Sequence, residues 1–116
     1  MTPRAILIGA PGAGKTTVGE LLAQILGCAF ADSDQLVEVK HGVPVPDIFV
    51  RHGEATFRDW EHAAITQALT GFDGVLALGG GSVMDMDTAR QLRESGSPIF
   101  WLEVSRMLYG LKVFEE

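Results

Sequence analysis

GAPGAGKT, at residues 9–16, fills the pattern G-x-x-x-x-G-K-[ST] with Gly9, Gly14, Lys15 and Thr16, and Gly12 adds a further position without a Cβ. Glycines let successive backbone N–H groups converge on phosphate oxygens, and a helix that follows offers its unpaired donors and positive dipole end to an anion. Lys15 would reach the β and γ phosphates and the Thr16 hydroxyl would sit on Mg²⁺. Asp32-Ser33-Asp34 is a second candidate. On an extended backbone the D-x-D spacing sends both carboxylates to one side, so one can order the waters of a metal while the other faces an acceptor hydroxyl. The same three residues also suit a helix-capping turn with Ser33 or Asp34 as N-cap. Gly79, Gly80 and Gly81 either turn the chain or let the main chain approach a small molecule closely. Arg58 is either an anion-binding fork or a surface partner of Glu54 and Glu61, at i−4 and i+3.

These groups need elements to hold them. Ala5, Ile6, Leu7 and Ile8 form a short apolar run of the kind that makes a strand buried on both faces. Behind the loop, Val18, Leu21, Leu22, Ile25 and Leu26 make one stripe of a helix that Gly27 can close. A short strand at residues 28–31 delivers Asp32, and residues 35–40 read as helix up to Gly42. Residues 43–46, VPVP, form a rigid link into a helical turn at 47–50, and Phe57, Trp60, Ala64, Ala68 and Leu69 mark one face of a helix over 54–70. Residues 75–78 read as a buried strand leading to the three glycines, 87–94 as a helix ending at Gly96, and 99–102 as a fourth strand. Strands separated by helices predict an α/β fold: a three-layer α/β/α unit on a parallel sheet with right-handed crossovers, whose ligands bind outside the carboxyl ends of the strands.

At 116 residues with 47% hydrophobic content the chain is one domain with enough apolar material for a core. A net charge of −6 argues against general affinity for nucleic acid or anionic membranes, so phosphates must be drawn by local donors. The single cysteine, Cys28, excludes an internal disulfide and a cysteine cluster for zinc, and reads as a small core residue. No apolar run approaches 18 residues and no signal peptide precedes the first strand, which predicts a cytoplasmic chain. His41, His52 and His62 lack metal-ligand spacing and read as solvated or capping residues. Trp60 and Trp101 read as core or groove wall, and Met84 and Met86 as packing near the glycine loop.

IGAPGAGKTTVGELLA, DSDQLVE, DIF followed by GEATFRDWE, LALGGGSV and WLEVS, in this order from residue 4 to about 105, resemble shikimate kinase. Gluconate kinase and adenylate kinase share the first motif and the topology but not the set. The resemblance implies ATP-dependent phosphorylation of the 3-hydroxyl of shikimate, in the pathway to aromatic amino acids. It implies that Gly12, Ala13, Gly14, Lys15, Thr16 and Thr17 bind ATP phosphates, that Thr16 binds Mg²⁺ and that Asp32 holds the ion through water. It further makes Asp34 the acceptor-facing base beside Lys15 at the reacting centre, Arg58 the partner of the substrate carboxylate, and Gly79, Gly80 and Gly81 a main-chain contact to the ring.

The likeness ends near Ser105, which divides the chain into a core at 1–105 and a divergent tail, RMLYGLKVFEE, at 106–116. The family order 2-3-1-4-5 implies a fifth strand and an arginine-bearing lid for which the tail offers no counterpart, and Arg106 matches no family position. The expectation is an Ile99 strand left as an apolar edge, self-association of a chain whose family is monomeric, and turnover at least about 10³-fold below a full-length relative. Two alternative readings follow: a catalytically impaired ATP-binding module, or a self-associating interaction module.

Overall fold

The computed structural model describes residues 1–10, 13–79, 81–104 and 109–113. Strand β1 (Ala5–Gly9) runs into helix α1 (Lys15–Leu26), then β2 (Ala29–Asp32), α2 (Ser33–His41), α3 (Val45–Gly71) and β3 (Gly74–Ala77). A 3₁₀ turn (Ser82–Met84) leads to α4 (Met86–Ser95), β4 (Ile99–Val104) and β5 (Tyr109–Val113). The sheet order is β2-β3-β1-β4-β5, with β2, β3, β1 and β4 mutually parallel.

Alternation along β1 explains the layers. Ile6 and Ile8 join Ile65, Ala68, Leu69, Leu76, Leu78 and Leu92 on the side covered by α3 and α4. Ala5 and Leu7 point the other way, to Ala23 of α1 with Val75, Ala77 and Leu102. All five residues of β1 are buried, as the uninterrupted apolar run requires for a strand covered on both faces. A third cluster, Val37, Ile48, Phe57 and Ala64, packs α2 against α3 away from the sheet.

Two elements differ from the sequence-based expectation. The Ile99 strand is not the edge, because β5 lies antiparallel against it, pairing Phe100 with Val113 and Val104 with Tyr109. The sequence leaves four residues between β4 and β5. That suffices for an antiparallel return, whereas a parallel neighbour needs a crossover of about a dozen residues or more. The second difference lies in α3, which joins the turn expected at 47–50 to the helix expected over 54–70. The junction is Gly53, at φ 86° and ψ 166°, a backbone state that breaks the helix and admits essentially only glycine.

At the end of β1, Gly9 has φ +152°, and a Cβ there would stand 2.5 Å from the Leu102 carbonyl oxygen. The last turn of the backbone into the loop therefore depends on a bare Cα. Gly9→Ala is expected to lower the unfolding free energy by about 1–3 kcal/mol, read from urea melts. A change below about 0.5 kcal/mol, the usual bound for neutral surface substitutions, would refute the close approach.

Candidate active site

Helix α1 starts at Lys15 behind Gly14, which takes the left-handed conformation at φ 88°. Among the described residues no side chain caps this terminus, and no acidic residue lies in its first turn. Val18 N–H is bonded to the Gly14 carbonyl, so the amides ahead of it have no partner within the helix and face outward with the exposed Thr16 and Thr17. Ala13 is buried, which fixes the inner wall of the loop. The Lys15 ammonium spans the loop by donating to the carbonyls of Gly9 at 2.6 Å and Ala10 at 3.1 Å. Partial burial lowers its pKa, and the negative charges of Asp32 and Asp34 pull it back up. The glycine loop and the acidic pair thus belong to one electrostatic site. Gly12 lies outside the described residues, as does Gly80.

The acidic pair does not sit on an extended backbone. Asp32 ends β2 and is itself the N-cap of α2, its carboxylate accepting from the Asp34 amide at 2.8 Å. The strand–helix junction turns the chain between them because the helix needs a capped start. Asp34 consequently stands in the first turn of α2, half-buried. Ser33, fully buried, accepts the Gly79 amide at 3.0 Å on its Oγ, while the Ser82 hydroxyl donates to the Gly79 carbonyl at 2.6 Å. Both polar groups of Gly79 are therefore held, and the loop entrance is fixed relative to Asp34.

Arg58, from the second half of α3, reaches the same place. Its Nη1 donates to Glu61 Oε1 at 2.9 Å, and its Nε lies 3.9 Å from Glu54 Oε1. The guanidinium lies along the Gly81 backbone, where a Cβ would be 2.7 Å from Nη2. Glu61, which sequence reasoning treated only as a possible surface partner, is 2% exposed. Its Oε2 is buried and finds no donor among the described residues. That oxygen and Asp34 Oδ1 face the same Cα, at 3.0 and 3.2 Å from where a Gly79 Cβ would lie. Burial is the main cause that raises the pKa of both carboxyls; Asp32 adds to the rise at Asp34, and Arg58 offsets part of it at each. The R-x-x-E spacing was the available signal for the Arg58–Glu61 pair, but spacing alone does not reveal that the acid is buried.

The Glu61 shift makes a pH prediction. A carboxyl whose pKa is higher folded than unfolded binds more protons in the folded state between those two values, so it subtracts stability as pH rises through that window. Relative to Glu61→Gln, the parent should lose unfolding free energy from the ordinary carboxylate range upward. Melts of both chains between pH 4 and 8 test this, and a difference that is flat or of opposite slope would show that Arg58 compensates the buried charge fully.

The remaining candidates fall elsewhere. His41 stacks on Trp60 with centroids 3.8 Å apart, His52 tilts against the same ring at 5.2 Å, and His62 pairs with Asp87. Met84 and Met86 do not pack but are 82% and 86% exposed. Among the described residues no group of three or more His, Cys, Asp or Glu could hold a metal ion, and no helix is long and apolar enough to cross a membrane.

A family model for shikimate kinase matches residues 11–108. The chain belongs to the shikimate kinase family. Shikimate kinase from Saccharopolyspora erythraea is 49% identical over 104 residues, covering 90% of this chain and 58% of the relative. That from Salinispora tropica is 50% identical over 92 residues, covering 79% of this chain and 55% of the relative. Among solved structures, shikimate kinase from Acinetobacter baumannii in complex with shikimate superposes with a TM-score of 0.83 at 35% identity, over 90% of this chain and 57% of that one. The Aquifex aeolicus enzyme gives 0.80 at 28% identity, over 90% and 61%. The chain thus spans somewhat over half the length of the shikimate kinases it matches.

Proposed function

We propose that this chain uses ATP to phosphorylate the 3-hydroxyl of shikimate, in the biosynthetic route to aromatic amino acids, and works in the cytoplasm. The observation that carries the reading is convergence: Asp34 and Arg58, drawn from separate helices, meet at a glycine loop whose entrance is held by Ser33 and Ser82, and the Lys15 ammonium feels the charge of Asp32 and Asp34. An uncapped helix start free of acid, preceded by a left-handed glycine, suits a polyphosphate. Gly12, Ala13, Gly14, Lys15, Thr16 and Thr17 are assigned to the ATP phosphates. Thr16 would be the direct ligand of the metal ion and Asp32 would act on it through water, phosphate oxygens supplying much of the remaining shell. Mg²⁺·ATP would supply the phosphoryl group. Arg58, already oriented by Glu61, would take the acceptor carboxylate in its fork. The backbone of Gly79, Gly80 and Gly81 would lie along the ring, and Asp34 would receive the hydroxyl proton. Residues 1–105 form the proposed core, and the proposed divergent segment 106–116 includes β5, which pairs with the core's β4.

A coupled assay of ADP release with shikimate as acceptor tests this. Shikimate-dependent release is expected; its absence, together with no shikimate binding by calorimetry, would overturn the assignment. A second reading, self-association, is favoured by the α1 face, where Leu21 is 55% and Ile25 80% exposed. Light scattering at micromolar concentration should then report species larger than a monomer, and Ile25→Lys should shift them to monomer. A monodisperse parent would count against it.

A further inference from the structure

The contact between Arg58 and the glycine loop is close enough that the spacing of two helices decides it. Arg58 lies on α3 and its guanidinium runs along Gly81, where even a methyl group would collide at 2.7 Å. Gly81 is joined to α4 by an unbroken series of short-range bonds. Ser82 N–H donates to the Gly79 carbonyl at 3.0 Å, Met84 N–H to Gly81 at 3.2 Å and Asp85 N–H to Ser82 at 3.3 Å. Asp85 then caps α4, accepting from the amides of Asp87 at 2.8 Å and Thr88 at 3.1 Å. The Gly81 side of the loop is therefore tied to the first turn of α4, as Gly79 is tied to α2 through Ser33.

That turn is tied back to α3 one residue beyond Glu61. His62 Nε2 lies 2.7 Å from Asp87 Oδ2. Arg90 also donates to Asp87, and together they hold its carboxyl below the usual carboxylate range, Arg90 being the larger cause. The acid is thus ionised near neutral pH and the ring must donate through its Nε2–H. Gln91 Nε2 reaches the same oxygen at 3.3 Å, and Gln91 Oε1 lies 3.0 Å from the Thr66 hydroxyl one turn further along α3.

We propose that His62 and Asp87 are positioning residues for the acceptor subsite: their bond fixes α4, and with it Gly81 and the glycine loop, at the separation from α3 at which the Arg58 fork fits. This rests on the reading of Arg58 and the loop as the acceptor subsite. A half-exposed polar pair contributes little to global stability, so its effect should appear in local geometry and not in the melting temperature.

His62→Ala and Asp87→Ala in the full 116-residue chain should each weaken shikimate binding about three- to tenfold, the scale of coupling within one bonded network. Mg²⁺·ATP affinity should stay within about twofold. His62→Gln, which keeps a donor at the Nε2 position, should restore shikimate affinity. Amide exchange at Gly79 and Ser82, followed by NMR without any ligand, should accelerate in both alanine variants and return to the parental rate in His62→Gln. Unchanged exchange at these amides in both alanine variants would overturn the inference, as would unchanged shikimate affinity. If the unmodified chain fails to bind shikimate, the function reading falls and the exchange measurement still decides the coupling. Asp87→Asn, which keeps the shape and weakens the acceptor, serves if Asp87→Ala fails to fold.

Discussion

Lys15→Ala will remove Mg²⁺·ATP binding from an otherwise folded chain, raising the dissociation constant by about 10²-fold or more, the loss expected when a charge-assisted donor to a phosphate is deleted in a shielded site. The ammonium is a charged donor that spans the loop, held by the Gly9 and Ala10 carbonyls. Partial burial lowers its pKa, so part of its hydration is already lost before a phosphate arrives. Those carbonyls can be resolvated when the side chain is cut back, so the melting temperature should change by only a few degrees, as for a substitution worth about 1 kcal/mol. Lys15→Arg should recover only part of the affinity, because a planar fork cannot replace a compact ammonium at the mouth of a narrow loop. Titration calorimetry on the three chains measures this directly. Alanine affinity within threefold of the parent would mean that the nucleotide sits elsewhere.

The strand, the left-handed Gly14 and the helix start that frame the proposed phosphate loop were legible in the sequence because their requirements are local and lie within one run of residues. The meeting of Asp34, Arg58, Gly79 and Gly81 at the proposed acceptor site was legible for the same reason, since each sits at the end or on the face of a readable element. What the sequence hid depends on contacts between distant segments. Asp32 became the cap of α2 because β2 ends where the helix must begin, a boundary that pattern alone leaves open by a residue or two. Glu61 looks like any i+3 partner until α3 is packed against the Gly79 loop, which buries its second oxygen. The His62–Asp87 tie joins residues 25 apart in the chain. Strand β5 pairs only because β4 offers an open edge beside it, so no periodicity within 106–116 announces it.

Asp34→Asn should lower the turnover number by about 10²–10⁴, the usual worth of a positioned general base, with a much smaller change in KM for shikimate. The carboxyl sits at the start of α2, half-buried, with its backbone amide tied to Asp32 so that the residue cannot drift. Burial first, and then the neighbouring Asp32 charge, raise its proton affinity above that of an ordinary aspartate. A carboxylate so perturbed is a stronger base toward a hydroxyl whose proton must leave as the oxygen attacks phosphorus. Asparagine keeps the shape and one acceptor oxygen, so it can still orient the hydroxyl, but it cannot take the proton. Binding and chemistry should therefore separate: KM persists while kcat falls. Arg58→Lys should show the complementary split, KM rising by about tenfold or more because the bidentate contact is lost while the base remains. Both ratios are taken within one chain of fixed length, so they do not depend on how fast that chain turns over in absolute terms. Steady-state ADP release at saturating Mg²⁺·ATP and varied shikimate gives the two constants for each variant. An Asp34→Asn kcat within tenfold of the parent would remove Asp34 from proton transfer and leave it an orienting contact alone.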